Sequence, residues 1–323
     1  MHVAVTGGTG FVGTHLVEHL LEGGHEVTAL ARGETGSADR LQAMAARVGR
    51  QDALGIETGS VTDGDAVAAA FEDAAAVAHL AGINFERGTQ TYRRVHVEGT
   101  RTVLDAAESA GVGHLALTSY LRARPDAGSG YLESKWASEE LVRESDLSTT
   151  VCKAGIVFGP GDQMVTQLAR SIRTMPLFPG VGFRERELRP VAVDDLVAVL
   201  AAALVEHRLT DGTVAPVGPE VVTLEGAVHR VATALGRRAV VIPAPVTGLR
   251  GLAWVQERTM TRPAISRAAL RMLAEGACDP APAHVCEPLP RELQPDTPFD
   301  VVAIEASLPE AGRYGPRDLR WIG

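Results

Sequence analysis

Tyr131 and Lys135 stand four residues apart, and Ser119 precedes the tyrosine by twelve. On a helix, a spacing of four puts both side chains on one face. These residue types suit reversible hydride transfer between a carbonyl and an alcohol. Reduction needs a proton donor at the carbonyl oxygen, and oxidation needs a base there. A free phenol, with a pKa of about 10, is too weak a base at neutral pH. A neighbouring ammonium favours the phenolate, so Lys135 is expected to lower the Tyr131 pKa and also to hold the ribose of a nicotinamide cofactor. Ser119 is expected to hydrogen-bond the substrate oxygen and position it. Tyrosine and lysine at this spacing occur on many surface helices. The framework around them gives the pair its weight.

That framework begins at the first residues, MHVAVTGGTGFVGT. An apolar run (Val3, Ala4, Val5) ends in glycines, and an amphipathic stretch with Phe11, Val12, Leu16, Val17, Leu20 and Leu21 on one face follows at once. The order is strand, glycine turn, helix. In the G-x-x-G-x-x-G spacing of Gly7, Gly10 and Gly13, one glycine makes the tight turn. Another admits a pyrophosphate to the backbone, and the last lets the helix pack against the strand. The helix N-terminus offers N–H groups and a positive dipole end to the phosphates. The second strand, His25 to Ala31, ends at Arg32, nineteen residues past Gly13. A carboxylate there would accept from a ribose 2′-hydroxyl, whereas an arginine suits a 2′-phosphate. NADP(H) is therefore favoured over NAD(H).

Strands are expected at 53–57, 75–80, 114–118 and 149–158, with helices at 39–47, 63–71, 90–110 and from 131 onward. This alternation specifies a parallel sheet with helices on both faces and binding at the carboxyl ends of its strands. Beyond residue 162 the alternation fades. Helices are expected at 163–176, 194–205, 224–235 and 266–273, a short strand at 213–217, and a loop or hairpin at 179–187. The stretch from Pro280 to Pro298 holds six prolines and is expected to wrap a surface. The fold class is a Rossmann-type, doubly wound α/β sheet with a smaller, discontinuous C-terminal substrate domain. Residues 1–162 plus about 190–222 form the dinucleotide-binding part, and 163–189 plus about 223–323 the substrate or lid part.

The chain has 323 residues, 45% of them hydrophobic, and a formal net charge of −9. That balance, without a basic tract, argues against nucleic acid and against an anionic membrane surface. No apolar helical run is long enough to span a bilayer. Three cysteines without a C-x-x-C fit a reduced, cytoplasmic setting. His15 to His19 fits the zinc pattern H-x-x-E-H, but the helix that carries it opens at the phosphate turn, so no metal is expected.

TGGTGFVG at 6–13, HLAG at 79–82, Ser119 and YLESK at 131–135 resemble the short-chain dehydrogenase/reductase superfamily. VEGTRTVLDAAESAGV at 97–112, IVFGPGD at 156–162 and RPVAVDDLV at 189–197 point to its extended and atypical, epimerase/dehydratase-like branches. ISRAALRMLAEG at 265–276 is similar to the branch that contains the nucleotide-binding accessory subunit of respiratory complex I. The resemblance implies that Gly7, Gly10 and Gly13 bind the pyrophosphate beside Thr9, Phe11 and Val12, and that Arg32 binds the 2′-phosphate. It places Ser60 and Val61 at the adenine and Leu80, Ala81 and Gly82 on the ribose side. Ala154, Gly155 and Ile156 would flank the nicotinamide, with Ser119, Tyr131 and Lys135 as the catalytic triad. Many members are dimers, so a homodimer is an expectation here too.

Three positions depart from the pattern. Ser60 stands where an aspartate is frequent, His96 where asparagine is usual, and Lys153-Ala154 where Arg-Pro is usual. The change at His96 puts the usual proton relay in doubt. The leading expectation is an NADP(H)-dependent oxidoreductase acting on a small-molecule carbonyl or alcohol. The alternatives are an epimerase/dehydratase acting on a sugar nucleotide and a non-catalytic NADP(H)-binding structural or redox-sensing protein.

Overall fold

A computed structural model describes residues 1–33, 36–260, 263–276, 278–281, 286–310 and 312–319. The chain divides into two compact units. The first comprises Met1–Ala154, Val193–Pro216 and Pro280–Gln294, and the second Gly155–Ala192, Val217–Asp279 and Pro295–Gly323.

The first unit starts with β1 (His2–Thr6), α1 (Phe11–Glu22), β2 (Glu26–Ala31), α2 (Ser37–Arg47), β3 (Leu54–Thr58), α3 (Gly64–Ala70) and β4 (Ala76–His79). A π-helical turn (Arg93–Glu98) then runs into α4 (Gly99–Ser109), followed by β5 (His114–Tyr120), α5 (Gly130–Arg143) and β6 (Thr149–Ala154). The second unit takes over with β7 (Val157–Phe158), α6 (Gln163–Thr174), β8 (Leu177–Val181), β9 (Glu187–Leu188) and β10 (Val191–Ala192). The chain returns to the first unit with α7 (Val193–Leu204) and β11 (Gly212–Val214). Back in the second unit come β12 (Val222–Thr223), α8 (Leu224–Ala234), β13 (Val240–Ala244), α9 (Val246–Thr259), α10 (Arg267–Glu275) and α11 (Val301–Ser307).

The seven-stranded sheet of the first unit runs β11-β6-β5-β4-β1-β2-β3, with every pair parallel. β4 and β6 are buried at every position, as expected for strands covered on both faces. One layer packs Phe71, Val77, Val103, Leu115, Val142 and Val151 together. On α7, nine of twelve residues are buried, and α1 packs along it. β1 adjoins both β2 and β4, so the strand order reverses there, and this is where a doubly wound sheet opens its binding crevice.

The second unit has its own core, including Phe158, Leu168, Ile172, Val228, Val231, Leu270 and Ile304, with Phe158 set edge-on to Phe299 at 4.9 Å. Among the described residues it holds three two-stranded ribbons: β10 with β7, β12 with β9, and β13 with β8.

Several sequence expectations are corrected. The strand expected over 149–158 is two strands: β6 follows β5 as far as the pair Tyr120–Ala154, and β7 pairs with β10. Residues 177–181, placed partly in a loop or hairpin, form β8, parallel to β13. Pro179 is tolerated because a two-stranded ribbon is all edge. The expected helix at 90–110 begins as a π-turn. β13, α9 and α11 were not anticipated. In the proline-rich stretch, Glu287 N donates to Thr213 O at 2.7 Å and so pairs along the β11 edge of the sheet, while Ala281 N donates to Leu121 O, just past β5, at 3.1 Å. Residues 282–285 of that stretch lie outside the described residues.

Candidate active site

The nucleotide end is built by backbone. After β1, Gly7 turns the chain with φ +72°, and Gly10 N closes the turn on Gly7 O at 2.9 Å. A Cβ on Gly13 would lie 2.2 Å from Gly7 O, so α1 can start this close only without a side chain there. α1 opens at Gly10 with no side-chain cap and no acidic residue in its first turn. Its leading N–H groups and dipole are thus left for an anion, which fits a dinucleotide pyrophosphate. Thr9, Phe11 and Val12 are half-buried beside the turn. Leu80, Ala81 and Gly82 follow β4, and a Cβ on Gly7 would come within 2.9 Å of Ala81 N. Arg32 follows β2 directly, where its Nη1 donates to Gln90 Oε1 at 2.8 Å. Past β3, Ser60 Oγ lies 3.1 Å from Thr62 Oγ1, and Val61 is buried against Gly99.

The other half of the site stands on β5 and α5. The buried face of α5 carries Tyr131, Leu132, Ser134, Lys135, Ser138, Glu139 and Val142. Lys135 Nζ donates to Thr118 O at 3.2 Å, which sets it one residue from Ser119 at the end of β5. Thr118 Oγ1 is buried without a hydrogen-bond partner among the described residues. The Tyr131 ring is boxed by Tyr92, His96 and Tyr120, with centroids at 5.7, 5.8 and 5.8 Å. Ala154 ends β6 opposite Tyr120, whereas Gly155 and Ile156 belong to the second unit.

The electrostatics differ from the expectation that Lys135 would lower the Tyr131 pKa. Burial pushes the Tyr131 phenol up, with a smaller push from Tyr92, and burial holds Lys135 down at about 8 against the pull of Glu139. With the protein groups alone, burial keeps the Tyr131 hydroxyl protonated.

Two buried histidines tie the halves together. His79 Nδ1 lies 2.7 Å from Thr6 Oγ1 and its Nε2 3.0 Å from Thr100 Oγ1, while Thr100 donates to His96 O at 2.5 Å. The threonine's one hydrogen is thereby used, so His79 must donate from Nε2 and accept at Nδ1. At His96, Ile83 N donates to Nε2 at 3.0 Å, so Nδ1 carries the proton toward Ser134 Oγ at 2.8 Å, and Ser134 donates to Tyr131 O at 2.9 Å. Burial, with the Lys135 charge adding to it, holds His79 at about 3 and His96 at about 2. Both rings are neutral, and both nitrogens of His96 are committed to structure.

Ser119 donates to Glu139 Oε1 at 2.5 Å. Lys153 Nζ reaches both Glu139 oxygens at 2.8 Å and Arg143 Nη2 reaches Oε2 at 2.8 Å. Lys153, where arginine is usual, thus delivers a cation to this carboxylate. Sequence reading missed Glu139, although its signal was present: Tyr131, Lys135 and Glu139 follow each other at i, i+4 and i+8 on one helix face.

Other candidates have local roles. Trp136 lies under Arg143 and Lys153 at 5.5 and 5.6 Å, and Asn84 O accepts from Tyr92 Oη at 3.1 Å. Arg189 donates to Gly218 O at 2.6 Å. His15 sits 3.8 Å from Asp194, and Glu18 is paired with Arg47.

A parallel sheet with a glycine turn at its switch point and a tyrosine–lysine helix beside it defines a dinucleotide-binding α/β protein. A model of the NAD dependent epimerase/dehydratase family matches residues 3–218, and the chain belongs to that family. A ceramide reductase of Caulobacter vibrioides is 30% identical over 62% of this chain, and the match spans 60% of that protein's length. A dihydroflavonol 4-reductase-like protein of Synechocystis is 28% identical over 79% of each chain. The mitochondrial NADH dehydrogenase 1 alpha subcomplex subunit 9 of Arabidopsis thaliana is 26% identical over 68% of this chain and 54% of its own length. In fold, a UDP-glucose 4-epimerase of Thermotoga maritima superposes with a TM-score of 0.69 at 17% identity, covering 95% of this chain and 97% of the other. Among the described residues, no helix is long and apolar enough to cross a membrane.

Proposed function

We propose that this chain is an NADP(H)-dependent oxidoreductase that moves a hydride between the nicotinamide and a carbonyl or alcohol, with Tyr131 exchanging the oxygen-bound proton. The observation that carries the reading is the buried face of α5, which sets Tyr131 and Lys135 one turn apart against the end of β5 that holds Ser119. The cofactor, when bound, supplies the hydride acceptor or donor. The protein's own work is positional and protonic. Gly7, Gly10 and Gly13 admit the pyrophosphate to the N-terminus of α1, and Arg32 would meet a 2′-phosphate. Lys135 would hold the ribose, and the neutral Tyr131 phenol is suited to donate to a carbonyl oxygen, which favours the reductive direction.

The relatives bear on the alternatives. Two are named for reduction and one as a subunit of an NADH dehydrogenase assembly, and the family description includes epimerases and dehydratases. An epimerase or dehydratase using the same tyrosine and a non-catalytic nucleotide binder are the competing readings. Nucleotide titration followed by a carbonyl screen separates them. Arg32→Ala should lose about tenfold or more in NADPH affinity with little change for NADH. Tyr131→Phe should lower turnover by about 10²- to 10⁴-fold. Turnover unchanged in Tyr131→Phe sinks the catalytic assignment, and tightly retained NAD in the wild type moves the reading to the epimerase alternative.

A further inference from the structure

In the sheet, β1 lies between β4 and β2, and the segment from Ile83 to Tyr92 leaves the end of β4. Gln90 in that segment nevertheless accepts at Oε1 from Nη1 of Arg32, the residue after β2, at 2.8 Å. The segment therefore spans the carboxyl end of β1, where the glycine turn opens, as a strap across the crevice in which a pyrophosphate would lie. Its own bonds fix its shape. Ile83 N donates to His96 Nε2 at 3.0 Å, Tyr92 N to Glu86 Oε1 at 3.0 Å, and Tyr92 Oη to Asn84 O at 3.1 Å. At the far end Arg87 and Gln90 exchange both backbone bonds, at 2.9 and 3.0 Å, around a two-residue turn in which Gly88 has φ +57°. A built turn thus delivers Gln90 to Arg32.

A guanidinium donates and cannot accept, so the amide oxygen must face Arg32, and Nε2 is left to donate elsewhere. Nε2 has no partner among the described residues. The residue type matters as well. A carboxylate here would neutralise Arg32, whereas an amide orients the guanidinium and leaves its full charge. An intact cation beside two amide N–H donors complements an anion with several acceptor oxygens.

We propose that Gln90 is a cofactor-discriminating residue, which holds the Arg32 guanidinium in place and adds its own Nε2 donor to a 2′-phosphate. This rests on the reading of Arg32 as the 2′-phosphate ligand. Selectivity for NADP(H) then comes from both banks of the crevice, β2 and the strap. A bare ribose 2′-hydroxyl brings no charge to Arg32, so NAD(H) gains little from either residue.

Calorimetric titration of the full chain with NADPH and with NADH tests this for wild type, Gln90→Ala, Arg32→Ala, the double variant and Gln90→Glu. The two nucleotides differ only in the 2′-phosphate, so NADH reports on folding and on the rest of the site. Gln90→Ala should lower NADPH affinity about three- to tenfold, the worth of one hydrogen bond, and leave NADH unchanged. In the Arg32→Ala background the same substitution should cost much less, because the two residues act on one phosphate. Gln90→Glu should lose about tenfold or more for NADPH and move the preference toward NADH, since a carboxylate neutralises Arg32, repels a phosphate and accepts from a hydroxyl. Equal weakening of both nucleotides in Gln90→Ala would reduce the strap to packing and overturn the proposal. An unaltered Gln90→Ala, or losses that add independently in the double variant, would also overturn it. The two readings fail separately. NADPH affinity unchanged in Arg32→Ala removes the 2′-phosphate reading itself, whereas a selective loss in Arg32→Ala beside an unaltered Gln90→Ala removes only the assignment of Gln90.

Discussion

Acidification should unlock the histidine bridge between the phosphate turn and α5. His79 and His96 are held neutral at about 3 and about 2, below the ordinary 6.5, with burial as the main cause. The unfolded chain therefore binds more protons than the folded chain throughout the window between those values and 6.5. Stability is full above pH 6.5 and is lost as pH falls through that window. At pH 4.5, two units below 6.5, each histidine removes about 2.7 kcal/mol, and the pair about 5 kcal/mol. That is comparable with the whole stability of a marginal domain, about 5–15 kcal/mol. Urea midpoints at pH 7.5 and 4.5 are the assay, for wild type, His79→Gln and His96→Asn. Each amide can donate and accept as the ring does, but it does not titrate in this range. Each variant should therefore lose about 2.7 kcal/mol less than wild type between the two pH values. Nitrogen-15 spectra of wild type should show neutral rings, protonated at Nε2 in His79 and at Nδ1 in His96. Variants whose pH dependence superimposes on wild type, or an imidazolium at either position at pH 6, would refute the reasoning.

Two further outcomes follow from the same geometry. Gly13→Ala would drive a Cβ to 2.2 Å from the Gly7 carbonyl oxygen, and backbone cannot yield as a flexible side chain can. Nucleotide binding should be lost, with a drop in thermal midpoint read by differential scanning fluorimetry, whereas Gly24→Ala, with open space around its Cβ, should keep binding despite a positive φ. Because Lys135 is held at about 8, its ammonium is present at pH 7 and gone by pH 9.5. Nucleotide affinity measured by calorimetry should therefore fall above pH 8 in wild type and stay flat in Lys135→Met.

The sequence was most legible where chemistry and local periodicity coincide. The glycine spacing between a strand and a helix marked the turn that the structure shows at Gly7 to Gly13, and the burial of α5 was implicit in residues repeating at four. The strand alternation of the first unit was readable because parallel strands buried on both faces are short continuous apolar runs bounded by turns. The second unit was harder. β8 and β13 are edge strands with proline and exposed positions, and α9 buries only Leu249 and Ala253, so neither carries a strong period.

By itself, then, the sequence determined the order of strands and helices through β5, the glycine turn and the helical pairing of Tyr131 with Lys135. Each of these depends on residues within one or two turns of each other. Only the tertiary structure decided what those residues are chemically. Burial keeps the Tyr131 hydroxyl protonated, and Glu139 from α5, itself held by Lys153 from β6, accepts the Ser119 hydrogen. His79 and His96 have their tautomers set by threonines, a serine and a backbone amide from elsewhere in the chain. Desolvation and hydrogen-bond direction depend on what surrounds a group in space, and spacing along the chain does not encode them.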